Sequence, residues 1–197
     1  ISAIRQDGPA DYGLRFFAIL SLAMPNFWVA TMALLYVVRW RLWDVPISTS
    51  PLLWEDPVGS IKLFGIPAVA GGLASGAGIM RLLRSQMLEV LRQDYIRTAW
   101  AKGMRERTVI VRHALKNALV PVITVLGLTV AGLLSGNVVF ENLFGIPGVG
   151  NKILVAVRSR DVPVVQAFVI IIATFVVFVN LGIDMVYGLL DPRIRYS

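Results

Sequence analysis

The sequence of 197 residues contains no cysteine and only one histidine, His113. Without cysteine, the chain has no disulfide framework and no thiol chemistry. One imidazole and no thiolate also leave no plausible set of ligands for a zinc ion or an iron cluster. We therefore predict that this chain holds no metal.

Recognisable motifs for nucleotide binding and catalysis are missing as well. The run from Gly148 to Lys152 lacks the spacing and the Ser or Thr of a GxxxxGK[ST] phosphate-binding loop. No nucleophile elbow of the GxSxG type occurs. We expect a chain that is not an enzyme and binds no cofactor of its own. If it takes part in driven transport, another subunit must supply the energy.

Charged residues are scarce, whereas apolar residues are abundant. Asp, Glu, Lys and Arg make up 16% of the sequence and hydrophobic residues 56%, against about 25% and roughly 45–50% in soluble domains. The net charge is +7, but most basic residues lie in one loop between apolar runs, which argues against nucleic acid as a partner. The composition indicates an integral membrane protein in contact with the lipid bilayer.

Four apolar runs are long enough to cross a hydrocarbon core of about 30 Å, which takes about 20 helical residues. They cover residues 16–38, 61–83, 118–140 and 164–190. Pro25 predicts a kink in the first run. The alternating pattern of a membrane barrel is absent, so we predict an all-α membrane protein.

Lysine and arginine are distributed unequally between the two sides of these spans. With a cytoplasmic N-terminus, thirteen of the nineteen fall on the cytoplasmic side. The six on the outer side are Arg39, Arg41, Lys62, Lys152, Arg158 and Arg160. Because positive charge accumulates in cytoplasmic loops, we predict that both ends of this sequence are cytoplasmic. Residues 84–117 then form a cytoplasmic loop.

Two further segments leave alternatives open. Gly72 and Gly76 form a GxxxG pair in the second span, which would allow close packing within the chain, or else mark a subunit interface or a translocation path. The turn-rich run FGIPGVG at residues 144–150, with a short helix predicted over 151–158, is either an ordinary external loop or a re-entrant element beside a pore. Asp184, the one acid clearly inside a predicted span, is interpreted as an interhelical or interfacial contact and not as part of a proton relay.

The cytoplasmic loop contains the run QDYIRTAWAKGM at residues 93–104. Leu88, Leu91, Tyr95 and Ala99 follow a helical spacing, and Gly103 is placed to end that helix. A second amphipathic run leads into the third span. Such a helix, turn and helix could simply connect two spans, or it could bind a partner.

The cytoplasmic loop and several later segments of the sequence resemble a known family. RTAWAKG at residues 97–103 is similar to the EAA loop of ABC importer permeases, in the form used by the dipeptide/oligopeptide group, which often reads RTARAKG. RHALKNAL follows at residues 112–119, as it does in that group. Similar matches are FENLFGIPGVG at 140–150, RDVPVVQ at 160–166 and DPRIRY at 191–196. Trp100 stands where the group often has Arg.

The resemblance implies a fold, a function and partners. The fold would be a single type I ABC importer transmembrane domain over residues 1–197, with four of an expected six transmembrane helices and a cytoplasmic coupling helix. Its partners in the inner membrane system would be two cytoplasmic ATP-binding subunits, which bind ATP and Mg²⁺, a second homologous permease and an extracytoplasmic substrate-binding protein. The residues expected to meet an ATPase are Asp94, Arg97, Thr98, Ala99, Lys102 and Gly103.

Two other classes remain open on the residues themselves. A passive channel or membrane scaffold would need no ATPase, and a membrane-embedded enzyme would turn over a substrate without ATP. Within the transporter class, peptide, nickel and glutathione systems share this type of permease, so the substrate stays undetermined.

Overall fold

The computed structural model describes Ala3 and residues 7–46, 51–134 and 136–190. All regular elements in these residues are helical, as predicted. The helices are α1 (Pro9–Ala23), α2 (Asn26–Arg39), α3 (Pro57–Leu91), α4 (Asp94–Ala101), α5 (Glu106–Thr108), a π-helical segment (Val109–Leu115), α6 (Lys116–Leu134), α7 (Val138–Phe144), α8 (Val149–Arg158) and α9 (Val162–Leu190).

The first predicted span is divided between two helices. Helices α1 and α2 meet at an angle of 93°, and the break lies immediately before Asn26. Pro25 has φ −59° and ψ 130°; it lacks an N–H group, and its ring disfavours helical geometry at the preceding residue. The kink expected at Pro25 is therefore a complete break.

Three helical runs in the described residues are long and apolar enough to cross a membrane: Pro57–Leu91, Glu106–Leu133 and Val162–Gly188. The number rises to five if each of two bent helix pairs counts as one span. In the apolar window of the last run, no residue is buried inside the chain. A strongly apolar helix with no residue of this window buried by protein fits a lipid environment.

The third predicted span has different limits in the structure. Helix α6 ends at Leu134, and α7 begins at Val138, so the prediction that this span continues to residue 140 is wrong. Gly136 has a φ of +86°, which ends the helical path. The side chain of Asn137 then accepts a hydrogen bond from the N–H of Phe140 at 3.2 Å and caps α7.

The chain divides into two compact units. Unit 1 comprises residues 1–20, 76–130 and 177–197, and unit 2 comprises residues 21–75 and 131–176. In unit 1 a core cluster joins α3, α4, the π-helical segment and α6 through Met87, Ile96, Ala99, Val109, Ala114 and Ala118. In unit 2 a second cluster joins α2, α3 and α7 through Ala30, Leu63, Ala70, Phe140 and Phe144.

Candidate coupling site

Helix α4 is a separate short helix, not a continuation of α3. Helix α3 ends at Leu91, and Gln93 has an extended backbone with φ −70° and ψ 148°. The buried residues of α4 are Ile96 and Ala99, whereas Tyr95 is 43% exposed. The prediction of one helical stripe from Leu88 through Tyr95 to Ala99 is therefore wrong, because the turn at residues 92–93 rotates the register of everything after it.

The C-terminus of α4 has the geometry that the sequence predicted. Gly103 has a φ of +70°. Its N–H donates to the carbonyl of Trp100 at 2.9 Å, and the N–H of Met104 donates to the carbonyl of Ala99 at 3.4 Å. These two bonds are the pair that defines a Schellman motif, in which two otherwise unpaired helix carbonyls are satisfied. The prediction of a helix end at Gly103 is confirmed.

The inner side of α4 is anchored in the core of unit 1. Ile96 is fully buried and Ala99 is 7% exposed. Both belong to the cluster that contains Val109 and Ala118 on the way into α6, and Met104 packs against the same cluster. Burial of this kind contributes roughly 25 cal/mol per Å² of apolar surface. The short helix is thereby held to the helices that continue into the apolar spans.

The outer side of α4 is polar and open. Asp94, Arg97, Thr98, Lys102 and Gly103 are all exposed. Asp94 and Arg97 form an ion pair at 3.5 Å with both side chains largely in solvent, and such exposed pairs contribute about 0–1 kcal/mol. A partner could therefore replace this pair at little cost. The structure brings these five predicted residues to the open side but places Ala99 in the core.

A polar contact joins α4 to the start of α6. The Asn117 side-chain amide donates to the Tyr95 hydroxyl oxygen at 2.8 Å and to the carbonyl of His113 at 2.9 Å. The preceding π-helical segment, Val109–Leu115, has wider turns than an α-helix, and such segments are frequent at functional sites. Sequence analysis missed both features, since 22 positions separate Tyr95 from Asn117 and a π-helix has no reliable sequence pattern.

The run FGIPGVG at residues 144–150 forms a closed turn in unit 2, where α7 and α8 meet at 100°. Glu141 is 7% exposed. One of its carboxylate oxygens accepts the N–H groups of Asn137 at 3.2 Å and Gly150 at 3.1 Å, and the other accepts the N–H of Asn151. A carboxylate at the N-terminus of α8 also complements the helix dipole.

The predicted glycine pair on α3 lies on an open surface. A Cβ atom at Gly72 or Gly76 would meet no described atom within 4 Å, and both residues are exposed. Close packing of this pair within the described chain is thus not observed, and its packing against another subunit stays a prediction. In unit 1 a tight glycine contact occurs instead at Gly127, where a Cβ atom would overlap the side chain of Ile183.

Comparison with known proteins identifies a family for this sequence. The sequence matches the family described as "Binding-protein-dependent transport system inner membrane component" over residues 1–196. The chain belongs to this family. The resemblance drawn from the EAA-type loop is confirmed, as is the all-α membrane fold that the family shares.

Individual relatives are similar over essentially the whole chain. The "Dipeptide transport system permease protein DppB" of Alkalihalophilus pseudofirmus is 40% identical over 215 residues, covering 100% of this chain and 65% of the relative. The protein of the same name from Bacillus subtilis is 41% identical over 196 residues, covering 99% and 60%. The "Oligopeptide transport system permease protein AppB" of Bacillus subtilis is 40% identical over 197 residues, covering 100% and 62%. The chain thus spans less than two thirds of the length of these relatives.

Proposed function

We propose that this chain is part of a permease subunit that forms the translocation pore of an ATP-driven importer for peptides or similar small solutes. The observation that carries the proposal is α4: a short helix anchored from inside by Ile96 and Ala99, ended by a Schellman motif at Gly103, and polar on its open side. Similarity to peptide permeases supports the substrate class.

In this proposal, α4 is the coupling helix that docks on a cytoplasmic ATPase subunit. Two such subunits bind ATP and Mg²⁺, and their closure displaces the docked helices. Because α4 shares a core with the π-helical segment and α6, a push on α4 reaches a transmembrane span through packed side chains. The chain contributes no catalysis of its own. A second homologous permease completes the pore, and an extracytoplasmic binding protein delivers the solute.

The proposed docking surface consists of Asp94, Arg97, Thr98, Lys102 and Gly103. Ala99 supports this surface from inside, because its side chain faces the core. Among these residues Arg97 offers a planar fork of donors suited to a partner carboxylate, and its present ion pair with Asp94 is weak. We therefore expect Arg97 to contribute most to docking.

We propose an orientation in which the basic residues of unit 1 lie on the cytoplasmic side of the membrane. Every described Lys or Arg predicted to be cytoplasmic belongs to unit 1, and each of the six predicted to be external belongs to unit 2. Since the chain has no cysteine, single cysteines can test this. In intact cells, an impermeant thiol reagent should label Ser159→Cys and leave Glu106→Cys unlabelled; both native residues are exposed. The reverse labelling would contradict the orientation.

Docking is tested by charge reversal in the assembled transporter. Arg97→Glu should reduce co-purification of the ATPase subunits and solute uptake, with a larger effect at low salt, where exposed charges are less screened. Arg107→Glu is the matched control, because Arg107 is also exposed but lies outside α4. Equal losses in both variants would argue against α4 as the docking helix. Solute uptake in the absence of any ATPase subunit would favour a passive channel instead.

A further inference from the structure

A basic recess lies between α1 and α3 in unit 1. It has a volume of about 340 Å³ and is lined by Arg15, Ile19, Arg81, Arg84, Ser85 and Leu88. Its lining therefore combines three guanidinium groups with one hydroxyl and contains no carboxylate. A recess of this composition attracts an anion with several acceptor oxygens.

One of the three arginines, Arg84, is held in place by a buried carboxylate, and Arg15 lies beside the same group. Asp11 is fully buried; its two oxygens accept hydrogen bonds from Nε of Arg84 at 3.3 Å and from Nη2 of Arg84 at 3.1 Å. The N–H of Asp7 also donates to Asp11 at 3.2 Å, and Nη1 of Arg15 lies 4.0 Å from the same carboxylate. Asp11 thus orients Arg84 and neutralises one of the three positive charges of the lining. The recess retains an excess of two.

Arg81 supplies a charge for which the described residues offer no counter-ion. It lies three residues before Arg84 on the same helix, is exposed, and makes no ion pair in the part of the chain that the structure describes. Positions i and i+3 of a helix share a face. Arg81 and the fixed Arg84 therefore point their donors toward one recess, where both could bind the oxygens of a single phosphate group.

The position of these arginines along their helices matches the depth of lipid headgroups. Helix α3 carries no charged residue between Lys62 and Arg81; at 1.5 Å per residue, the intervening stretch measures roughly 27 Å, close to the hydrocarbon thickness of about 30 Å. Arg15 directly precedes the apolar part of α1, which ends at Ala23. One turn further along α1, Ile19 is 60% exposed, in a position to contact acyl chains.

We propose that Arg15, Arg81, Arg84 and Ser85 form a binding site for the phosphate group of an anionic phospholipid. Basic pockets between transmembrane helices bind such headgroups on the cytoplasmic side of membranes. The assignment to the cytoplasmic leaflet rests on the proposed orientation. The binding site itself depends on neither transport nor ATP hydrolysis.

The test uses the assembled transporter in detergent, without ATP, and a photoreactive phosphatidylglycerol whose attachment is mapped by peptide mass spectrometry. Labelling should fall on the peptides that contain Ile19 and Ser85. Arg81→Gln should weaken this binding about fivefold, the equivalent of the ~1 kcal/mol that one basic residue contributes near a membrane surface. Arg81 is preferred to Arg84 as the test position, because removing Arg84 would leave Asp11 buried without its partner.

Lys62→Gln is the matched control, since it removes one positive charge from the opposite end of the same apolar stretch of α3. Labelling of that variant should equal the labelling of the native chain. Unlabelled phosphatidylglycerol should protect the site, whereas phosphatidylcholine and an excess of inorganic phosphate should not. Equal losses in the two variants would overturn the proposal, and so would protection by inorganic phosphate alone, which would assign the recess to a soluble anion. Labelling is measured without ATP. A negative result in the docking test of Arg97→Glu would therefore not change the interpretation of the labelling experiment.

Discussion

Two glycine-containing turns of the described residues, one at the end of α4 and one around α7, differ in how closely they are packed. At Gly103 the turn is open, because a Cβ atom there would meet nothing within 4 Å, and only the φ of +70° demands glycine. Around Glu141 the turn is closed, because a Cβ at Gly136, Gly148 or Gly150 would meet the carboxylate or the backbone. The turn at Gly103 depends on the backbone conformation of one exposed residue. The turn around Glu141 is buried, and its backbone packs around one carboxylate.

The difference has an energetic consequence. Substitution at an open turn costs only the backbone preference of the new residue, about 1–2 kcal/mol for a side chain in left-handed geometry. Substitution in the closed turn adds steric overlap, which typically costs about 1–3 kcal/mol, and leaves buried polar groups at risk of losing their partners. Substitutions in the closed turn should therefore lower the free energy of unfolding more than a substitution at Gly103. A substitution at Gly103 should mainly affect function.

The largest effect is expected for Gly136→Ala. Gly136 combines a φ of +86° with a Cβ that would overlap the backbone nitrogen of Gly150, so the variant should lose at least about 2 kcal/mol. Thermal unfolding of the purified protein in detergent measures the loss. Gly132→Ala, in α6, is the control, since its Cβ would meet no described atom. A normal unfolding temperature for Gly136→Ala would show that the closed turn can open at little cost.

Glu141→Gln comes next in size. The amide keeps one acceptor oxygen but brings an NH₂ group close to backbone N–H donors, so at least one charge-assisted hydrogen bond is lost, at about 1.5–3 kcal/mol. We expect a lower unfolding temperature and faster proteolysis between α7 and α8. Glu89→Gln, at an exposed position of α3, should have no comparable effect. Equal stability of the two variants would mean that Glu141 contributes no more than a surface charge.

A smaller effect on stability, with a larger one on coupling, is expected for Gly103→Val. The β-branched residue disfavours the φ of +70° by about 1–2 kcal/mol and should reorient the end of α4 while membrane insertion stays intact. Gly103→Asn is the matched variant, because asparagine tolerates left-handed geometry. Substrate-stimulated ATP hydrolysis should fall for valine and persist for asparagine. Full solute uptake with Gly103→Val would indicate that α4 only connects its neighbouring helices and has no role in coupling.

The smallest effect on the chain itself is expected for Gly72→Leu. Because a Cβ at this position meets no described atom, the stability of the isolated subunit should not change measurably. If the open face packs against a second permease, association of the two subunits should weaken, as cross-linking of the assembled pore would show. Gly71→Leu is the comparison, since a Cβ at Gly71 lies 3.7 Å from Phe140. Normal assembly of Gly72→Leu would assign that face to lipid.

Several local features were predictable because their causes lie within a few residues. Pro25 lacks an N–H group, so interruption of the first apolar run follows from the sequence. Gly103 lies after a helical run and before a second one, and its positive φ follows from that position. Of the six residues predicted to meet an ATPase, five lie on the open side of α4. The exception, Ala99, was assigned by motif position, which carries no information about which way a side chain faces.

What the sequence by itself determined is the membrane character, the helical class, the family and the glycine turn of α4, since hydropathy, helix periodicity and turn chemistry act over short stretches of chain. What only the tertiary structure decided is which polar groups meet. Asp11 and Arg84 are 73 positions apart, and Glu141 binds N–H groups up to 10 positions away. Such contacts form because burying a charge requires partners, and packing of the helices, not local sequence, determines where those partners are.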